Sequence, residues 1–154
     1  MSAPALVALV VRYGMVMLFL PFSALDKVFN FPQAVKQAGE VFSPPSLAAA
    51  VLLVGLSIEV ICTLGVVIGV ADRASALVIA GYCAATALLY KRFWAPGDFW
   101  SDPGGKGRTL FWDFLKNLSL GAGFLLLVVG TDGSGLRPFL AAPFASSHPY
   151  RSMP

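Results

Sequence analysis

Residues 46–70 read SLAAAVLLVGLSIEVICTLGVVIGV. The run exceeds the roughly 20 apolar residues that a helix needs to cross a bilayer. Its single charged side chain, Glu59, falls near the middle, far from either end. A carboxylate at that depth is costly and by default faces the interior of a bundle, a partner or a water-filled cavity. The run therefore reads as a spanning helix with a functional or pairing residue in it.

The reading extends outward from there. Only Ala71-Asp72 separates this run from the next, residues 73–90, so the two spans form an antiparallel hairpin with Arg73 at its turn. A first apolar run covers residues 4–25 and contains Arg12. A last one covers residues 110–130 and contains Asp113 and Lys116. Without water, a spanning backbone must satisfy its own hydrogen bonds, which leaves helices or closed barrels. Long unbroken apolar runs exclude the alternating strands of a barrel. The expected fold is an all-α membrane protein, an antiparallel bundle of four transmembrane helices over residues 1–130, followed by a polar, proline-containing tail over 131–154. Pro21 is expected to kink the first span.

Composition agrees. The 154 residues are 57% hydrophobic and 12% charged, with mean hydropathy +0.76, against about 25% charged in ordinary soluble domains. The net charge of +3 is mild and unclustered, which excludes nucleic acid as a partner and leaves membrane lipid. Residues 1–11 carry no Lys or Arg, so the first run is expected to be a retained span rather than a signal peptide. Cys62 and Cys83 lie in apolar runs outside any CxxC pair and read as small buried hydrophobes. His148 stands alone, and no metal site is expected.

Two connections carry structure of their own. After Asn30, a candidate cap, Phe31, Val35, Ala38 and Phe42 recur at helical spacing. Residues 32–41 are thus expected to form a short amphipathic helix on the membrane interface, between the first two spans. The third connection, residues 91–109, is rich in Gly, Pro and aromatics. Trp94, Trp100 and Trp112 all sit in it or at its edge, as an interfacial belt requires. The first and third connections carry Lys27, Lys36, Lys91, Arg92, Lys106 and Arg108, and the opposite face carries only Arg73, Arg137 and Arg151. The positive-inside rule then puts these two connections in the cytoplasm and both termini outside.

The polar residues divide into two candidate sites. By helix rise, Glu59 lies roughly 16 Å and Arg12 roughly 12 Å from the face that carries the termini. The two are therefore expected to meet as an ion pair that fixes helix register or as the wall of a polar pocket. Toward the other face, Lys27 with Asp26 ends the first span, and Asp113, Lys116 and Asn117 begin the fourth. With Trp94 and Trp100 they form a candidate face for a ligand or partner, either an interfacial anchor or the mouth of a site for a quinone head or a small anion. Tyr13, Thr86 and Tyr90 supply hydroxyls whose facing the sequence leaves open.

The same residues carry a resemblance. Arg12-Tyr13-Gly14 opens the first span, which closes on Asp26-Lys27-Val28-Phe29. Gly55-Leu56-Ser57-Ile58-Glu59 holds the mid-span glutamate. Leu64-Gly65-Val66-Val67-Ile68-Gly69 precedes Arg73, and Phe111-Trp112-Asp113-Phe114-Leu115-Lys116-Asn117-Leu118 precedes Gly121. In this order they resemble the DoxX family of small bacterial membrane proteins, over about residues 10–130. The aromatic third connection and the tail depart from its pattern. The resemblance implies a multi-pass protein of the bacterial cytoplasmic (inner) membrane. Some members of the family are linked to sulfur-compound oxidation with electrons passed to quinone, others to membrane complexes that handle oxidative stress. The expectation is a membrane subunit or anchor of a redox or quinone-linked complex, with no catalytic centre of its own and quinone as the one cofactor class in view. A quinone-binding oxidoreductase subunit with its site near Arg12 and Glu59 is the first alternative. A small oligomeric transporter is the second.

Overall fold

The computed structural model describes residues 2–130 and 135–150. Four helices long and apolar enough to cross a membrane run over Ala3–Phe29 (α1), Pro45–Ile68 (α3), Asp72–Tyr90 (α4) and Lys106–Val129 (α5). Between the first two lies a shorter helix, Phe31–Gly39 (α2), and the tail contains a last one, Arg137–Ala141 (α6). Among the described residues there is no strand. The fold is the expected all-helical membrane bundle.

Two of the spans are irregular where it matters. In α1 the helix is interrupted at Leu20, whose backbone is extended (φ −125°, ψ 114°), and Pro21 follows. Proline has no N–H for the ladder and its ring crowds the preceding turn. The expected kink is therefore a full interruption, and the helix restarts as Ala24–Phe29. It continues past Asp26 and Lys27 to Phe29, and Lys27 turns inward. In α3 the residues Ile58–Cys62 form a wider π-helical turn around Glu59. Thr63, fully buried, donates its hydroxyl to the carbonyls of Glu59 and Val60, which the wider turn loosens. Such turns recur at functional sites.

The spans pack through small residues, since lipid leaves little hydrophobic drive between helices. At Gly121 of α5 a Cβ would come within 3.3 Å of the Ala80 carbonyl and of the Cys83 side chain on α4. At Gly65 of α3 it would come within 2.4 Å of the Ser75 hydroxyl and 3.0 Å of the Val70 carbonyl. The GxxxG spacing of Gly65 and Gly69 thus serves the hairpin within one chain. Gly69 has the left-handed backbone (φ 77°) that ends α3, and its amide and that of Val70 return to the Gly65 carbonyl. Val16, Val66, Ile79, Phe124 and Val128 form the buried core. Phe22, Ile61 and Leu126 remain on the outer surface, where lipid would meet them.

α2 presents Phe31, Val35 and Ala38 inward as the periodicity expects and packs against the start of α3. Asn30 does not cap it. Its side chain instead donates to Asp26 Oδ1 at 2.8 Å, one turn back. The third connection is held by an aromatic cluster in which Phe93 packs edge-on against Trp94, Phe111 and Phe114. Part of the tail returns to the bundle: Ser147 and Tyr150 bond to the α3–α4 hairpin. Arg151, counted above among the cations of the termini face, lies outside the described residues.

Candidate functional site

Restarting α1 after Pro21 places Ser23 and Lys27 one turn apart on the same face. That face meets the π-helical turn of α3, which directs Glu59 inward; Glu59 is 2% exposed. From α4, Tyr82 completes the group. Lys27 Nζ donates to Glu59 Oε1, to Ser23 Oγ at 3.0 Å and to Tyr82 OH at 3.3 Å. Ser23 Oγ and Tyr82 OH each donate to the same Glu59 oxygen, at 3.1 and 2.8 Å. Gly55 makes room for the phenol, because a Cβ there would stand 3.2 Å from its oxygen. Phe19 supports the ring from below, at 6.2 Å between centroids.

Every donor in this cluster converges on Oε1. Glu59 Oε2 is buried and has no hydrogen-bond partner among the described residues. The carboxylate lines a cavity of about 320 Å³. Its lining joins the polar Ser23, Lys27, Glu59, Tyr82, Thr86 and Asn117 to the apolar Leu18, Val51 and Leu52. Gln37 of α2, Tyr90 and Lys91 border it toward the face of the first and third connections. The charges of Lys27 and Glu59 cancel, and Lys91 at the border pairs with Asp113 at 3.3 Å, so the cavity suits a neutral, amphiphilic molecule.

Arg12 and Glu59 do not pair. The Arg12 guanidinium, 7% exposed, donates to Asp72 Oδ2 at 2.7 Å, to the Val66 carbonyl at 2.8 Å and to Ser147 Oγ at 3.0 Å. The expectation treated the spans as straight rods and Asp72 as a turn residue. The interruption at Leu20 instead brings Lys27 to Glu59, and Asp72 is fully buried at the foot of α4, within reach of Arg12. Ser147 completes this second cluster through its amide, 3.0 Å from Asp72 Oδ1, and its hydroxyl. Tyr150 donates to the Val67 carbonyl. Burial pushes its phenol above the ordinary range.

The second expected face divides. Lys27 and Asn117 line the cavity, and Asn117 donates to Thr86 Oγ1 at 3.3 Å. Asp113 pairs outside it with Lys91 and Lys116, at 3.3 and 3.4 Å. Trp94 and Trp100 are exposed, Trp100 to 91%. Thr86 and Tyr90 border the cavity, whereas Tyr13 is exposed. Arg73 stays at the turn, with its Nε buried and unpartnered among the described residues. Cys62 and Cys83 are free thiols. Among the described residues no group of three His, Cys, Asp or Glu is placed to hold a metal. Ser23, Tyr82, Asp72 and Ser147 are the functional or pairing residues that the sequence reading missed. The break at Pro21 was the available signal for Ser23. For Tyr82 and Ser147 there was none.

Fold and site together define a small multi-pass membrane protein with a charged cluster buried between its helices and a half-open cavity beside it. The DoxX family model matches residues 7–92, more than half of the chain, and the protein belongs to that family. A relative is the inner membrane protein YphA of Escherichia coli (strain K12), 27% identical over 133 residues, which cover 86% of this chain and 89% of the relative. With four apolar helices, this supports placement in the inner membrane. No solved structure gives a significant match.

Proposed function

We propose that the protein is the quinone-binding membrane component of a redox complex, with the head of the quinone between α1, α3 and α4. One observation carries the reading. A half-open cavity of about 320 Å³ between the helices is lined by a buried, internally neutralised Lys27–Glu59–Tyr82 cluster, and a carboxylate oxygen there is left unpartnered among the described residues. Ligand cavities run from roughly 300 Å³ upward, so this one suits a single substituted ring, with an isoprenoid tail passing out between helices. A quinone also matches its mixed polar and apolar lining. In this reading Lys27, Glu59 and Tyr82 bind and orient the head, and Phe19 and Leu52 exclude water from it. The fully buried Val16, Val66 and Phe124 pack beyond Phe19, toward the Arg12–Asp72 end. A closed layer there favours a blind binding site over a transport path.

The anchor reading keeps one observation in its favour. Trp100 and Lys116 stand exposed on the face of the first and third connections, and function concentrates on such loops. A soluble redox subunit docking there would complete the complex. By the charge distribution, this face is cytoplasmic and the termini are periplasmic.

Extraction in mild detergent from quinone-containing membranes tests the proposal. Lipid-soluble material retained by the purified protein is expected to contain quinone at close to one per chain. Leu52→Trp, which fills the cavity without touching a charge, is expected to lose most of it and keep the wild-type melting temperature. Wild-type protein that carries a soluble partner but no quinone would favour the anchor. Equal retention by both proteins would place the quinone elsewhere.

A further inference from the structure

We infer that the third connection binds anionic phospholipid, with the phosphate headgroup on Arg92, Lys106 and Arg108 and the acyl chains along the outer surface of α5. The inference is independent of the quinone reading. Residues 91–105 leave little slack. The Gly107 amide donates to Asp98 Oδ1 at 2.8 Å. A Cβ at Gly107 would strike that oxygen and stand 3.0 Å from the Phe93 carbonyl and 3.2 Å from the Phe99 nitrogen. The start of α5 thus closes on Phe93 and Phe99 together, and Arg92, Trp94, Trp100, Lys106 and Arg108 all flank one junction. All five are exposed. The same closure occupies the acids. Asp98 turns onto Gly107, Asp102 accepts from the Gly104 amide at 2.9 Å, and Asp113 pairs with Lys91 and Lys116. Among the described residues Arg92, Lys106 and Arg108 pair with no acid. The junction therefore turns three exposed cations outward against one exposed carboxylate, Asp102.

That charge fits any anionic partner, and the aromatic rings select a lipid. Trp100 packs on Phe99 at 4.6 Å between centroids, Phe99 on Phe111 at 5.0 Å, and Phe111 on Trp112 at 5.7 Å. The run ends on α5, where the exposed Trp112 is followed by the exposed Leu115 and Leu118. The aromatic surface is thus continuous with a face of the span that lipid would meet. Tryptophan favours the level of the headgroups, and basic side chains at that level attract anionic lipid. A phospholipid lying on α5 satisfies both halves of the patch at once, whereas an acidic soluble protein would use the cations and leave the run toward Leu118 uncovered.

Trp94, Trp100 and Trp112 are the only tryptophans of the chain, so its fluorescence reports on this face alone. The full-length protein is reconstituted in phosphatidylcholine vesicles with rising fractions of either acyl-brominated phosphatidylglycerol or acyl-brominated phosphatidylcholine, and quenching is followed. Half-maximal quenching is expected at an at least about fivefold lower fraction of the anionic lipid. In the triple variant Arg92→Gln, Lys106→Gln, Arg108→Gln the two curves are expected to coincide. Lys36→Gln, which removes an exposed cation of the first connection, is expected to keep the wild-type preference. Equal quenching of the wild type by both lipids overturns the inference, as does a preference that survives in the folded triple variant. Quenching by neither lipid also overturns it and leaves the face to a soluble partner. Should the triple variant not fold, the wild type in high salt decides. A preference carried by exposed charges collapses there, and one that persists overturns the inference.

Discussion

Replacing Lys27 with methionine is expected to destabilise the bundle by about 3–5 kcal/mol, the range found when one partner of a buried ion pair is removed. Glu59 is 2% exposed, and the Lys27 side chain is 22% exposed, so solvent does little to screen the pair. Without the ammonium, Glu59 keeps the hydroxyls of Ser23 and Tyr82 but has no countercharge. It must take up a proton or distort the π-helical turn that holds it. Adding Glu59→Gln to the same protein is expected to recover most of the loss, because replacing both members of a buried pair with neutral groups is often nearly free of cost. Thermal melting in detergent, followed by tryptophan fluorescence, compares the single and double variants. A Lys27→Met protein that melts with the wild type would mean that the pair is not formed in the membrane.

Asp72→Ala is expected to cost a similar amount and to release the tail as well. Asp72 is fully buried, and it accepts from Arg12, from the amide and hydroxyl of Ser147 and from the Arg73 amide at 3.1 Å. Its removal leaves the buried Arg12 guanidinium with neutral partners only, a loss of about 3–5 kcal/mol by the same reasoning. The segment 144–150 also loses its strongest attachment to the hairpin. Limited proteolysis should therefore cut there in the variant under conditions that leave the wild type whole. Asp26→Ala is the control, since Asp26 is exposed and among the described residues its side chain bonds Asn30 alone. It should change stability by less than about 0.5 kcal/mol. Equal melting and equal cleavage for Asp72→Ala and Asp26→Ala would contradict the assignment of the second cluster.

The sequence carried the helices and the burial of Glu59, because both follow from the length of an apolar run and the position of a charge within it. It did not carry the pairing. Which acid Arg12 meets depends on the rotational phase of α1 and α3, and each span loses its regular phase at one point, Leu20 and the turn Ile58–Cys62. A straight-rod estimate places Arg12 and Glu59 at similar depths, yet one break and one wide turn exchange their partners. Asp72 looked like a turn residue because it adjoins Ala71 at the end of a run. Its burial comes from the left-handed backbone of Ala71 (φ 47°), which turns α4 back against α3. Tyr82 could not be found from spacing, since a single hydroxyl in an apolar helix gives no sign of its facing. The return of Ser147 and Tyr150 depends on chain geometry beyond any local pattern.

The most direct measurement of the site is photoaffinity labelling in native membranes with an azido-substituted quinone, followed by peptide mass spectrometry. The expected labels fall on segments that line the cavity, residues 18–27 of α1, 34–38 of α2, 51–59 of α3, 82–91 at the end of α4 and Asn117 of α5, and excess unlabelled quinone should compete them away. Labelling confined to the aromatic connection around Trp94 and Trp100, or to the tail and hairpin near Asp72, would contradict a quinone site between the helices.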